Sequence, residues 1–380
     1  MIYFDNGATG GFKPRAVTDS MENVVRYLSA NPGRSGHRLS VTGANVVYDC
    51  RCLASRMFGA SPERVIFTKN CTEALNLAIF GTLKKGGHVV TTVFEHNSVL
   101  RPLSYLKKLN LISLDIVSPS EGQSITQAIE NAINDDTYLI VMNGASNVTG
   151  EVFPVSDVGK IAVKHGLLFL CDGAQLCGHS DVNLARDGIS LLACAGHKGL
   201  YGIMGSGMLI IGDGVDVSPL TFGGTGTESL SLDQPSAYPE RLESGTLNLP
   251  GVSALKEGLS YVSENLSAFS SSLIKYTHTL IDGLSEIKNV KVYSSPNPTG
   301  IVSFSIKDIP SNEASDVLDK YFDVATRPGL HCSPLCHKYL GTDKDGLVRA
   351  SLSVQNSTRE INYFLRAVKK IAEGGNDFVF

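Results

Sequence analysis

Gly166-Leu167-Leu168-Phe169-Leu170-Cys171-Asp172-Gly173-Ala174-Gln175 is the stretch that decides the architecture. Residues 166–171 form an apolar run with no alternation of polar and apolar positions. Such a strand is buried on both faces, as in a parallel sheet. Asp172 then falls at the strand's carboxyl end, where open α/β sheets bind ligands. Runs of the same kind lie upstream at Val65–Thr68, His88–Thr92, 111–117 and 138–142. Two more lie downstream, at 189–194 and Gly207–Ile211. Helical spacing occupies 72–80, 98–109, 125–133 and Val155–His165 between them. This alternation predicts a large α/β domain whose seven strands form a mostly parallel sheet, covered on both faces.

The texture changes after residue 250. Residues 252–284 read as one long helix with Leu255, Leu259, Val262 and Leu266 on one face. Strand candidates at 290–293, 300–306 and 347–353 and helices at 312–322 and 359–372 follow. They predict a smaller α+β C-terminal domain. The expected division is a segment 1–15 that joins the small domain, a large domain 16–250 and a small domain 251–380, with a hinge at 248–251. Residues 221–239 are rich in Gly, Ser, Thr and Pro, and read as an exposed connection of the kind that carries binding contacts.

Composition excludes several classes. The chain has 33 Lys and Arg against 37 Asp and Glu, a net charge of −4, and no basic stripe, so no nucleic-acid partner is expected. At 42% apolar residues it is too hydrophobic for a disordered chain. No apolar run reaches the roughly 20 residues of a membrane span. No basic-then-apolar leader precedes Asp5, which predicts a cytoplasmic protein. Cysteines at 50, 52, 71, 171, 177, 194, 332 and 336 are too sparse for a disulfide scaffold. They form no pair of CxxC motifs, and no metal site is predicted.

The chemistry gathers at two strand ends. Asp172 can pair with a protonated ring nitrogen, or cap a helix. In Ala195-Gly196-His197-Lys198-Gly199, a lysine follows a strand and sits beside a histidine. A lysine nucleophile needs its pKa lowered by desolvation or by neighbouring cations. Asp172, Gln175, His197 and Lys198 together supply a ring-nitrogen carboxylate and a Schiff-base lysine. These are the protein's share of pyridoxal-phosphate chemistry.

With these residues in view, the chain resembles the cysteine desulfurases, in the class V aminotransferase group of fold type I pyridoxal-phosphate transferases. The likeness runs from Tyr3 almost to the C-terminus. Tyr3-Phe4-Asp5-Asn6-Gly7-Ala8-Thr9 resembles the family's opening motif. Phe67-Thr68-Lys69-Asn70-Cys71-Thr72-Glu73-Ala74 resembles its phosphate loop. Glu95-His96-Asn97-Ser98 and Ser146-Asn147-Val148-Thr149-Gly150 match two further motifs. Arg327-Pro328-Gly329-Leu330-His331-Cys332 and Arg349-Ala350-Ser351-Leu352 match the last two.

The resemblance implies roles residue by residue. Lys198 holds the cofactor and moves the substrate's Cα proton. Asp172 keeps the ring nitrogen protonated, Gln175 bonds the phenolic oxygen, and His96 stacks on the ring. Cys71 and Thr72 open a helix whose N–H groups suit a phosphate, and His197 adds a contact. Asn147 and Arg349 grip the substrate carboxylate, for which the planar guanidinium is well matched. Cys332, on a loop bounded by Gly329 and Pro334, is the nucleophile that becomes a persulfide, activated by His331 or by the substrate's own thiol. Cys336 and the remaining cysteines read as packing residues. The implied reaction converts L-cysteine to L-alanine and passes sulfur to an acceptor protein or thiol. L-Selenocysteine is the alternative substrate, and another class V aminotransferase or lyase the alternative activity. A homodimer is implied, with Thr225 or Thr227 reaching the partner's phosphate. Departures from the family pattern are Gly7, Cys71, Ala195, Gly199 and the stretch 223–227, which mark a divergent subfamily.

Overall fold

The computed structural model describes residues 1–374. The end of the expected small domain, 375–380, lies outside the described residues. The chain opens with a short strand β1 (Ile2–Tyr3) and helices α1 (Arg15–Tyr27) and α2 (Arg38–Phe58). It continues as β2 (Val65–Thr68), α3 (Cys71–Gly81), β3 (His88–Thr92), α4 (Asn97–Lys108), β4 (Ser113–Val117) and α5 (Ile125–Ala132). Next come β5 (Thr137–Asn143), α6 (Val155–His165), β6 (Leu168–Asp172), β7 (Leu191–Ala195) and β8 (Gly207–Ile211).

These strands form a seven-stranded sheet in the order β2-β8-β7-β6-β5-β3-β4. Only β8 runs against the others. Both faces are dry. Ile140, Met142, Phe169, Cys171, Leu192 and Cys194 pack on one side. Leu139, Val141, Leu170, Leu191 and Ala193 pack on the other. That is why residues 168–171 show no alternation: each side chain enters a core whichever way it points. The carboxyl ends of β2, β3, β5, β6 and β7 consequently open on one edge: Asn143 and Asp172 end β5 and β6, and Cys71, His96 and Lys198 follow β2, β3 and β7.

The C-terminal part begins with α7 (Leu249–Ser285), a single helix of 37 residues and about 55 Å. The expected hinge at 248–251 falls at its N-cap and first turn, where the Asn248 side chain accepts a hydrogen bond from Gly251 N at 3.1 Å. Leu249, Val252, Leu255 and Leu259 pack into the core of the large sheet. Leu273, Leu280 and Leu284 pack into a second body with Phe4, Phe304 and Phe364. That body contains β9 (Val290–Val292), β10 (Ile301–Ile306), α8 (Ser311–Phe322), β11 (Val324–Ala325), β12 (Val348–Ser351) and α10 (Thr358–Glu373), whereas α9 (Pro334–Leu340) packs Cys336 and Leu340 against the core of the large sheet. The sheet of the second body is antiparallel in the order β12-β10-β9. β1 pairs with β11 in parallel, and Asp5 bridges to Ser351.

The sequence reading assigned no element before Val65, yet α1 and α2 are there. In α1 only Val17 and Val24 are buried. The buried face of α2 carries Ser40, Gly43, Arg51 and Ser55 among its apolar residues. Neither helix therefore shows a clean apolar stripe. Strands of two residues, such as β1 and β11, leave no periodic signal at all.

Candidate active site

Two helix caps build the floor of the site. Asn70 caps α3 by accepting from Glu73 N at 2.9 Å, and Lys69 N donates to Glu73 Oε2 at 2.6 Å. These bonds point the helix N-terminus at the sheet edge. No acceptor is assigned to the N–H groups of Cys71 and Thr72 among the described residues. His96 caps α4: its Nδ1 accepts from Ser98 N at 3.1 Å. His96 therefore caps a helix while its ring still lines the cavity. Asp172 caps no helix. Its Oδ1 accepts from Ala174 N at 3.0 Å and from the Cys71 thiol at 3.5 Å.

A cavity of about 100 Å³ is lined by Cys71, Thr72, His96, Asn147, Asp172, Gln175, His197 and Lys198, together with Asn143 and Ala174. Eight of the sequence-predicted site residues therefore share one space. Asp172 Oδ2 and Lys198 Nζ have no hydrogen-bond partner among the described residues. Burial lowers the Lys198 pKa, opposed by the nearby Cys71 and Asp172 and reinforced by Arg349 and Arg327. Burial also pushes His96 and His197 down to about 4, so both are neutral near pH 7. The His197 Nδ1 lies 3.0 Å from Thr9 Oγ1, and Gln175 Nε2 donates to Gly7 O at 2.8 Å. The opening motif is thereby stitched to both strand ends.

This donor set fits pyridoxal phosphate. A free carboxylate oxygen, an unpaired lysine amine and two open N–H groups at a helix N-terminus face one small cavity. They match a protonated ring nitrogen, an aldehyde and a phosphate respectively.

Arg349 stands behind Asn147, outside the cavity lining. It is 1% exposed, donates from Nη1 to Asn147 O at 2.9 Å and pairs through Nη2 with Asp5 at 3.0 Å. Its Nε has no partner among the described residues. Burial lowers the guanidinium pKa to about 10. Gly7 explains one departure from the family pattern. A Cβ there would stand 3.2 Å from Arg349 Cζ and Nη2, so the missing methyl lets the guanidinium seat close to the opening motif.

Cys332 is exposed. Among the other cysteines Cys52 is half-buried and the rest are buried. The Cys332 carbonyl accepts from Asn97 N at 2.7 Å, which ties the loop to the residue after His96. Two expectations about this loop change. Asn147 was read as a ligand of the substrate carboxylate. Its amide instead donates to His331 O at 2.7 Å and accepts from Ser333 Oγ at 2.7 Å. His331 was read as one activator of Cys332, yet its ring nitrogens face His337 and the Arg327 carbonyl. The group beside the thiol is Arg327, whose Nη2 donates to Cys332 Sγ at 3.8 Å. Thr225 is not brought to the cavity. It lies on an exposed loop with its hydroxyl 3.1 Å from that of Thr227.

The model of the family described as aminotransferase class-V matches residues 2–364. The chain belongs to the aminotransferase class-V family. Among the class-V relatives, a probable cysteine desulfurase of Methanothermobacter thermautotrophicus is 30% identical over 98% of this chain and 95% of its own length. Another, of Pyrococcus abyssi, is 31% identical over 98% and 94%. The apo structure of a cysteine desulfurase from Thermococcus onnurineus NA1 superposes with a TM-score of 0.91 at 32% identity, covering 98% of this chain and 95% of that one. The class-V fold, an α/β large domain with a smaller C-terminal domain, is the one expected.

Sequence reasoning missed Asp5, Arg327, Ser333 and His337 as parts of the site. Arg327 lay inside a recognised motif and could have been found by asking what stabilises a thiolate. Asp5 could not, because its partner Arg349 is 344 positions away.

Proposed function

We propose that the chain is a pyridoxal-phosphate-dependent cysteine desulfurase acting on L-cysteine. The observation that carries the reading is one cavity holding Lys198, Asp172 and His96, with the exposed Cys332 tied to Asn97 at its rim. Bound pyridoxal phosphate supplies a conjugated ring that takes up electron density from the substrate's α-carbon. Lys198 would carry it, Asp172 would keep a proton at the ring nitrogen, and His96 would stack on the ring. The Cys71 and Thr72 N–H groups and His197 would hold the phosphate, and Gln175 would meet the phenolic oxygen. With substrate in place, the Nζ of Lys198 would be the group that moves the Cα proton.

Arg349 draws in the substrate carboxylate through the edge that Asp5 and Asn147 leave open. The Cys332 thiolate attacks the substrate sulfur, with Arg327 balancing its charge. A Cys332–sulfur bond forms as the substrate Cβ–S bond breaks. The electron pair of the broken bond stays with the carbon skeleton, which takes up protons and leaves as L-alanine. Cys332 keeps the sulfur as a persulfide and hands it to a protein or small thiol. We further propose a cytoplasmic homodimer in which Thr225 or Thr227 serves the partner's site. No helix among the described residues is long and apolar enough to cross a membrane.

The test is mass spectrometry of the holoprotein after incubation with L-cysteine, alongside measurement of released alanine. The expected result is one added sulfur on the Cys332 peptide. Cys332→Ala should lose persulfide and at least about 100-fold in alanine formation. Full alanine formation by Cys332→Ala would overturn the nucleophile assignment.

A further inference from the structure

The Cys332 loop is held by groups that the proposed chemistry does not use. His331 and Cys332 have φ of +51° and +60°, two successive non-glycine residues in the left-handed region. Such a conformation persists only where its surroundings over-determine it. Here the surroundings are specific. Asn147 bridges the residues on either side of Cys332: its amide nitrogen holds the His331 carbonyl and its amide oxygen receives the Ser333 hydroxyl. Ser333 is fully buried, and its N–H also donates to Leu330 O at 2.9 Å.

On the other side runs a chain of three side chains. His331 Nε2 lies 3.1 Å from the Arg327 carbonyl, which can only accept, so Nε2 carries the proton. In a neutral ring the His331 Nδ1 must then accept. The His337 Nε2, 3.2 Å away, must donate to it. The His337 Nδ1 is therefore bare and takes the Thr342 hydroxyl proton across 2.9 Å. Burial drives both histidines toward the neutral form that this order requires. The direction of every proton is thus determined, from Thr342 through His337 and His331 to Arg327. Arg327 is also the residue whose guanidinium touches the Cys332 sulfur.

We propose that Ser333, His337 and Thr342 are positioning residues that brace Cys332 in its left-handed conformation and so set where its thiol sits. The inference rests on the reading of Cys332 as nucleophile. It goes beyond that reading by naming three residues that touch neither substrate nor cofactor. Removing a brace should let the loop relax and move the sulfur off its line of attack without weakening substrate capture.

The experiment uses the holoenzyme with Ser333→Ala, Thr342→Val and the hydroxyl-retaining Thr342→Ser. Three quantities are read: the rate of Cys332 alkylation by iodoacetamide, kcat and KM for L-cysteine, and the thermal midpoint. Ser333→Ala and Thr342→Val should change the alkylation rate at least about 3-fold and lower kcat about 10-fold, with KM within about 2-fold. Thr342→Ser should restore both. Alkylation and kcat within about 2-fold of the parent in the folded variants would overturn the proposal. Should Thr342→Val fail to fold, Ser333→Ala removes one hydroxyl without adding bulk and carries the test alone. If Cys332→Ala keeps full turnover, the nucleophile assignment has failed instead, and the Cys332 alkylation rates of the Ser333 and Thr342 variants still judge the brace.

Discussion

Glu95, beside the ring-stacking candidate His96, is fully buried with one oxygen committed and one idle. Its Oε1 accepts from Thr92 Oγ1 at 2.6 Å and from Asn143 N at 3.1 Å, while Oε2 has no partner among the described residues. Burial pushes its pKa up to about 8 from 4.5. Between those two values the folded chain holds a proton that the unfolded chain has lost. Stability contributed by Glu95 is therefore full below about pH 4.5 and drains away as pH rises toward 8, at up to about 1.4 kcal/mol per pH unit. Glu95→Gln keeps a neutral group at every pH. Urea unfolding at pH 5.5 and 8 should show the variant gaining on the parent as pH rises; parallel pH dependences would refute this. Glu95 was legible in the sequence as part of a motif. Its burial was not, because a carboxylate in a turn ordinarily points to water, and only the packing of β3 against β5 encloses this one.

At the scale of elements, α7 decides how the two bodies meet. Its 252–284 core was readable from Leu255, Leu259 and Val262, since a helix that long keeps its period. The close approach it makes midway was not. A Cβ on Gly258 would stand 2.2 Å from the Leu200 carbonyl, two residues after Lys198. Glycine is needed there for space, because backbone meets backbone. Gly258→Ala should lower stability by about 2 kcal/mol or more and weaken cofactor retention, since α7 must shift away from the lysine turn. Thermal unfolding and the visible absorbance of the purified holoprotein report the two effects; an unchanged midpoint with full cofactor content would contradict the argument. The opening strand teaches the complementary lesson. β1 has two residues and pairs with a strand more than 320 positions on, so no local pattern could announce it. The family motif around Asp5 located the segment but said nothing of Arg349.

Across the whole molecule, neutral histidines set the acid limit. Burial pushes His179 and His197 down to about 4 and His331 well below 6.5. Below about pH 6.5 the unfolded chain takes up protons that the folded chain refuses, so stability should fall steadily from there toward pH 4. Denaturation midpoints at pH 6.5 and 4.5 measure the loss, and His179→Asn should reduce it; a flat profile would show that these rings are not held neutral. The overall architecture was legible because seven buried strands each leave an unbroken apolar run. The assembly of the thiols was not, since composition counts cysteines without ranking them. That ranking has a consequence for the proposed persulfide. A sulfane sulfur is an electrophile, and any thiolate within reach would divert it. Burial keeps Cys50 and Cys336 protonated up to about pH 12 and raises Cys71 and Cys171 well above their ordinary value, and the hydrogen bond with Cys194, with burial behind it, does the same to Cys177. On the proposed chemistry, sulfur on the exposed Cys332 would have an exit to solvent and would meet protonated thiols at these buried positions.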